Sequence, residues 1–336
     1  MMITSNVEIG PNVDAYRFGF NALAEARDIV RRVVQPTPQI EWPLLAQRTG
    51  AQVWVKHENH LPTGAFKMRG GLVLAHALLA GRHGPVPSGV ITATVGNHGL
   101  SQAFAGRRAG LQVTIVVPEN NNPEKNAAIK ALGAELIEAG HDFSAAYEIA
   151  QGLARERRLH LIEPFHPDLV RGVATWAYEF FEAVQEVDTV YVPIGLGSGI
   201  CGLIRTRDLF GLKTRIVGVV SSHAAAYALS FEAGKVVSTQ TAQTIADGVA
   251  VRVPRADALE IIRRGADRIV TVSDDEVRLA MRAYHEDTHN LAEGAAATPL
   301  AALLQERARM GGQRVGLVMT GANISRPLLA QVLSAT

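Results

Sequence analysis

One pattern constrains this chain more than any other. Short, mostly apolar runs alternate with longer stretches of helical spacing rich in Ala, Leu, Arg and Glu. The apolar runs are Gln52–Val55, Gly89–Ala93, Gln112–Val117, Thr189–Ile194, Arg215–Val220 and Arg314–Thr320. The helical stretches include Gly99–Ala109, Lys125–Leu132, Ala145–Glu156, Thr175–Val184 and Asp274–Thr288. A strand apolar on both faces has to be covered on both faces, and crossover helices supply that cover. The alternation therefore predicts parallel βαβ units and an α/β fold of open, twisted, mostly parallel sheet flanked by helices.

Length and composition narrow the class. At roughly 150 residues per domain, 336 residues suggest about two domains. Gly81–Ser88, with two Pro and two Gly, and Glu163–Asp168, with Pro164 and Pro167, read as linkers or domain crossings. Thirty-three basic against thirty-two acidic residues leave a charge of +1, which gives no basis for nucleic acid or an anionic membrane as partner. No apolar run reaches the roughly 18–20 residues of a membrane span. The single cysteine, Cys201, excludes an internal disulfide and reads as a small buried filler. Met1–Asn12 lacks the basic start and apolar core of a secretory signal. A cytoplasmic enzyme is the expectation.

Four loops could carry chemistry. Thr63-Gly-Ala-Phe-Lys67-Met-Arg-Gly-Gly71 places one of only six lysines after a turn and before an apolar helix. Desolvated there beside Phe66, its amine would be a nucleophile; otherwise it is a solvated lysine at a helix start. Thr94-Val95-Gly96-Asn97-His98-Gly99 follows a strand and opens a helix, a geometry that binds carboxylate or phosphate. Asn97 there is either a helix cap or a ligand contact. Gly195-Leu196-Gly197-Ser198-Gly199-Ile-Cys-Gly202 forms a phosphate cradle of backbone N–H groups. Its Gly197-to-Gly202 part also matches the dinucleotide pattern, but the next strand ends in Val220-Ser221-Ser222, without the acidic residue that would hold a ribose. Thr320-Gly-Ala-Asn323 ends the last strand, either facing the ligand crevice or capping a helix.

Taken together, in this order and spacing, the four loops resemble the fold-type II pyridoxal-phosphate enzymes, and among them the threonine/serine dehydratases (ammonia-lyases). The resemblance runs from Thr37 to Leu329 and includes Lys56-x-Glu58, Ile129-x-x-Leu-Gly-Ala134 and Thr244-Ile-Ala-Asp247-Gly248-Val-Ala. It implies a tryptophan synthase β-like fold of two sheets, with residues 1–85 and 162–336 forming a large cofactor domain and 86–161 a small inserted one. It implies pyridoxal 5'-phosphate as cofactor, an amino acid as substrate and a homodimer. Lys67 resembles the lysine that joins the cofactor as a Schiff base and serves as base. Gly195, Leu196, Gly197, Ser198 and Gly199 resemble its phosphate loop. Asn97 matches the partner of the phenolic oxygen, Thr320 that of the pyridine nitrogen, and Phe66 and Gly248 the residues sandwiching the ring. Thr94, Val95, Gly96, Asn97 and His98 match the loop that grips the substrate carboxylate. Glu293 matches an acidic residue near the cofactor.

The implied reaction is α,β-elimination from a β-hydroxy L-amino acid to a 2-oxo acid and ammonia, with the cofactor phosphate as the acid. A hydroxyl at the pyridine nitrogen favours elimination over transamination. Related racemases carry a hydroxyl, and diaminopropionate lyases a carboxylate, where this chain has Val95; valine transfers no proton, so racemisation is disfavoured.

The chain departs from the family pattern in three places. Val220-Ser221-Ser222-His223 replaces a Glu-Pro that helps bind a divalent cation, so no metal is expected there. Leu196 and Ser198 stand where glycines are usual, and Ala322 replaces a glycine. These point to a specialised substrate: hydroxyaspartate, phenylserine and a hydroxyectoine-derived compound are candidates beside threonine and serine. With the chain ending at Thr336, feedback through a C-terminal module is not expected.

The competing readings are β-replacement, racemisation, a non-catalytic binding protein of the same fold and, weakest, a nicotinamide oxidoreductase. Trp42, Trp54 and Trp176 read as packing residues, His57, His60, His160, His166, His285 and His289 as surface or core, and Arg155–Arg158 as a solvated helix face.

Overall fold

A computed structural model describes residues 11–334. The signal-peptide reading falls almost entirely outside them. Among the described residues ten strands form two sheets: β1 (Gln39–Glu41), β2 (Gln52–His57), β3 (Gly89–Ala93), β4 (Gln112–Val117), β5 (Glu135–Glu138), β6 (His160–Leu161), β7 (Thr189–Pro193), β8 (Arg215–Ser221), β9 (Arg268–Val272) and β10 (Arg314–Met319). The six-stranded sheet runs β1-β2-β10-β7-β8-β9 and the four-stranded sheet β5-β4-β3-β6. Every pairing is parallel except β1 with β2.

Two-residue periodicity divides each sheet between two cores. In β7, Val190 and Val192, with Ile194 just beyond the strand, point into one core while Tyr191 points into the other. In β4, Val113, Ile115 and Val117 face one side and Val116 the opposite one. The helices Pro167–Ala183 and Ser198–Leu209 cover one face of the larger sheet, and Asp274–Thr288 and Gly294–Gln305 cover the other. Among the described residues no helix is long and apolar enough to cross a membrane.

Several boundaries differ from the sequence reading by one or two residues, and one by more. The helix expected from Thr175 begins at Pro167, because His166 caps it by accepting the Asp168 N–H and Pro167 takes the first turn without losing a bond. Pro167 and Asp168 therefore belong to the helix rather than to a linker. The helix expected from Gly99 begins at Asn97.

A buried ionic cluster ties the larger sheet to the segment bearing Lys67. Arg69 is wholly buried and donates bidentately to Glu58, at 2.7 and 2.9 Å, and to Glu179, at 2.9 and 2.8 Å. Lys56 Nζ donates to Glu179 at 2.7 Å and to the Thr37 carbonyl at 2.8 Å. Two cations face two carboxylates, so the cluster is neutral, and it locks β2 and the helices Met68–Leu79 and Pro167–Ala183 together.

Candidate active site

The loops after β3, β7 and β10 converge on one cavity, at the C-terminal strand ends where open α/β sheets bind ligands. Its lining includes Phe66, Lys67, Asn97, Gly195, Leu196, Gly197, Ser198, Gly199, Gly248, Glu293 and Thr320, together with Pro193 and Ala295. A larger hollow, about 650 Å³, lies between Phe181–Asp188 and Leu212–Arg215, at the opposite ends of β7 and β8, away from these groups.

Lys67 rises from a turn stitched to the last strand. Phe66 N–H donates to the Thr320 carbonyl at 2.9 Å, Ala322 N–H donates to the Gly64 carbonyl at 2.9 Å, and Ala65 bridges Gly321. Ser101 on the facing helix donates to the Lys67 carbonyl at 2.7 Å. The lysine keeps some surface open to the cavity, while its amine lies 5.2 Å from the Phe66 ring centre. Desolvation pulls its pKa down to about 8, partly offset by the charge of Glu293.

The glycine loop is built for close backbone approach. Gly197 adopts φ +108°, and a side chain on Gly195 would lie 2.4 Å from the Gly248 carbonyl oxygen. The Leu196 carbonyl is tied off by the Tyr227 hydroxyl at 3.0 Å. The loop ends in the helix Ser198–Leu209, whose first N–H groups have no intrahelical partner.

Asn97 does not cap its helix. Its side chain instead donates from Nδ2 to Glu293 Oε1 at 2.7 Å and accepts from Asn323 Nδ2 at 2.8 Å. Its loop neighbours are engaged locally. Thr94 Oγ1 accepts the N–H groups of Gly96 and Gly99, at 3.0 and 3.3 Å. The Thr92 hydroxyl donates to the Ile162 carbonyl, so His98 Nε2, 3.2 Å from that oxygen, is the donor there. Burial, and then the charge of Lys67, holds His98 down to about 3, so the ring is neutral. Of Thr94–His98, Asn97 lines the cavity; Val95 is partly exposed and Gly96 buried.

Glu293 is buried, with Oε2 unpartnered among the described residues, and burial pushes its pKa up to about 7. Lys125 lies against Gly96 and forms an ion pair with Asp247. Burial opposes the Lys125 charge, but the charge and hydrogen bond of Asp247 weigh against it, and its pKa is raised.

Asn323, Lys125 and Asp247 were not among the residues picked out from the sequence. Asn323 and Asp247 sat inside quoted motifs. Lys125 had no signal beyond being a rare lysine.

Other sequence expectations find their places. Cys201 is buried against the Ala258 carbonyl. Trp176 is buried, Trp54 packs against the core from a half-buried position, and Trp42 donates to His57. His166 lies with His83 and Asp168 at the two chain crossings between the sheets, the carboxylate also held by Arg171.

Residues 30–321 match the family described as pyridoxal-phosphate dependent enzyme. The chain belongs to that family. It is 34% identical over 315 residues to an L-threonine ammonia-lyase of Geobacter sulfurreducens, covering 94% of this chain and 78% of that one. It is 30% identical over 316 residues to an L-threo-3-hydroxyaspartate ammonia-lyase of Saccharomyces cerevisiae, covering 94% and 96%. In structure it is similar to maize serine racemase, with TM-score 0.86, 26% identity and coverage of 94% and 97%. The fold is that of the fold-type II pyridoxal-phosphate enzymes, and the cofactor of this enzyme is pyridoxal phosphate.

The cavity fits that group. A desolvated lysine amine of lowered pKa lines the same cavity as a glycine cradle in which Gly195 lies too close to Gly248 to carry a side chain. An aldehyde needs the amine, and a phosphate needs the N–H groups.

Proposed function

We propose that this enzyme converts a β-hydroxy L-amino acid to a 2-oxo acid and ammonia by α,β-elimination. The observation that carries the reading is the Lys67 amine, desolvated beside Phe66 in the cavity that the glycine loop also lines. The names of its ammonia-lyase relatives support the reaction class.

Lys67 would hold the cofactor aldehyde, and Gly195–Gly199 the phosphate. Asn97 would donate to the phenolic oxygen and Thr320 to the pyridine nitrogen. Phe66 and Gly248 would flank the ring. Bound there, pyridoxal phosphate supplies an electron sink for the bonding pair released at the substrate α-carbon. Lys67 Nζ, with its pKa near 8, removes the α-proton as general base and holds it. N–H groups of the Thr94–His98 turn bind the substrate carboxylate, with Thr94 bracing the turn. Val95 offers no proton to the opposite face of the α-carbon, which keeps the reaction one-sided. The β-hydroxyl leaves as water; a water then adds at the α-carbon as the amine leaves as ammonia, and the β-carbon takes up a proton, so that the net change is amino acid to 2-oxo acid and ammonia.

The same family resemblance supports the two-domain division at 86–161, a homodimer and a cytoplasmic setting.

The test is a panel of L-threonine, L-serine, threo-3-hydroxyaspartate and phenylserine, with 2-oxo acid, ammonia, product chirality and thioether formation from an added thiol all measured. Stoichiometric 2-oxo acid and ammonia support the reading. Dominant D-amino acid or thioether would replace it with racemisation or β-replacement.

A further inference from the structure

A chain of hydrogen bonds fixes which oxygen of Glu293 can carry a proton. The Thr63 carbonyl can only accept, so Asn323 turns Nδ2 toward it at 2.8 Å. The same Nδ2 donates to Asn97 Oδ1 at 2.8 Å. Asn97 is left to present Nδ2, which donates to Glu293 Oε1 at 2.7 Å. Oε1 is thus the accepting oxygen of the carboxyl group. Oε2 is buried and has no partner among the described residues, in a residue that is 3% exposed and lines the cavity.

We propose that Glu293 serves the site as a neutral acid, holding a proton on Oε2 and donating it as a hydrogen bond to an oxygen or nitrogen acceptor of the group bound in the cavity. This rests on the pyridoxal-phosphate reading of the cavity. A buried carboxyl oxygen without a partner costs least when it is protonated and finds an acceptor on binding.

The charged neighbours are consistent with it. Lys125 favours the carboxylate, but its charge is shared with Asp247, which favours the acid; Lys67 is itself desolvated. Burial outweighs them and raises Glu293 to about 7. A donor here places no negative charge beside the bound group, and it complements the N–H that Asn97 has left to offer.

Infrared difference spectra of the wild type minus Glu293→Gln, at pH 6, read the protonation directly, with and without cofactor. A protonated-carboxyl carbonyl band is expected in the wild type, shifted when cofactor binds. Glutamine retains an acceptor for Asn97 and a donor in place of Oε2, so cofactor affinity should change by less than about threefold. Glu293→Leu removes both, and affinity should fall by more than about tenfold. Absence of the band, or loss of affinity in Glu293→Gln as large as in Glu293→Leu, would show an accepting carboxylate and overturn the proposal. Neither readout involves turnover, so failure of the lyase reading leaves this test intact.

Discussion

Lys125 and Asp247 pair across 122 residues of chain, and the pair sits against Gly96 in the loop that carries Asn97. One partner follows the four-stranded sheet's β4, and the other precedes Gly248 of the cavity wall. The pair acts on Glu293 with opposite signs: Lys125 pulls its pKa down and Asp247 pushes it up. Lys125→Met should therefore move the Glu293 titration above about 7, and Asp247→Asn should move it below. Carbon-13 titration of labelled glutamate checks both. Shifts of the same sign in the two variants would show that the pair acts through structure rather than charge.

Glu293 also predicts a pH dependence of stability. Its folded pKa, about 7, lies above the ordinary 4.5, so the folded state binds the proton more tightly. That stability is fully present below pH 4.5 and is lost as pH rises to about 7. The loss is on the order of 2–3 kcal/mol for the cofactor-free protein. Urea unfolding of the wild type and Glu293→Gln across this range should show the wild type falling relative to the variant. A constant difference would contradict the assignment.

Gly197 tests the cradle. At φ +108° a side chain is strained, and a Cβ there would lie 2.7 Å from Ala258 Cβ. Gly197→Ala should cost about 1–3 kcal/mol, seen as about 10–100-fold weaker binding of pyridoxal phosphate if the loop relaxes outward. Fluorescence titration of the cofactor-free protein measures it. Unchanged affinity would mean that the loop does not hold the phosphate.

Arg69 tests the ionic cluster beneath the site. Arg69→Met would leave Glu58 and Glu179 facing only Lys56 among the cluster's cations, in a fully buried place. Breaking such a cluster costs about 3–5 kcal/mol. Arg69→Lys should rescue little, because one ammonium cannot reproduce two bidentate contacts. Thermal unfolding of both variants provides the comparison.

Legibility of the fold in the sequence followed burial. The strands β3, β4, β7, β8 and β10 were readable because nearly all of their residues are buried on both faces. The strands β1, β5, β6 and β9 were missed because they are short or half-exposed: β1 is Gln-Ile-Glu, β6 has two residues, and β9 has one buried position. The helix start at Pro167 was missed because its cap is a histidine, an uncommon acceptor.

The site divides similarly. Lys67, the glycine loop, Asn97 and Thr320 sit in local motifs, and a local motif shows in a single chain. The bond from Asn97 to Glu293 spans 196 residues and that from Asn323 to Asn97 spans 226, and no periodicity encodes such pairs. Lys125 met its partner the same way. The contact of the His98 ring with Thr92 Oγ1, in the strand before its loop, is likewise not marked by the motif that contains His98.

The central claim is that Lys67 carries the cofactor. Reduction of the holoenzyme with borohydride, followed by proteolysis and mass spectrometry, tests it most directly. The account predicts a reduced pyridoxyl phosphate adduct on the peptide containing Lys67, absent from Lys67→Ala, which should keep the wild-type circular dichroism and lose turnover by about 10²-fold or more. An adduct on any of the other five lysines, or none on Lys67 in enzyme that turns over, would contradict it.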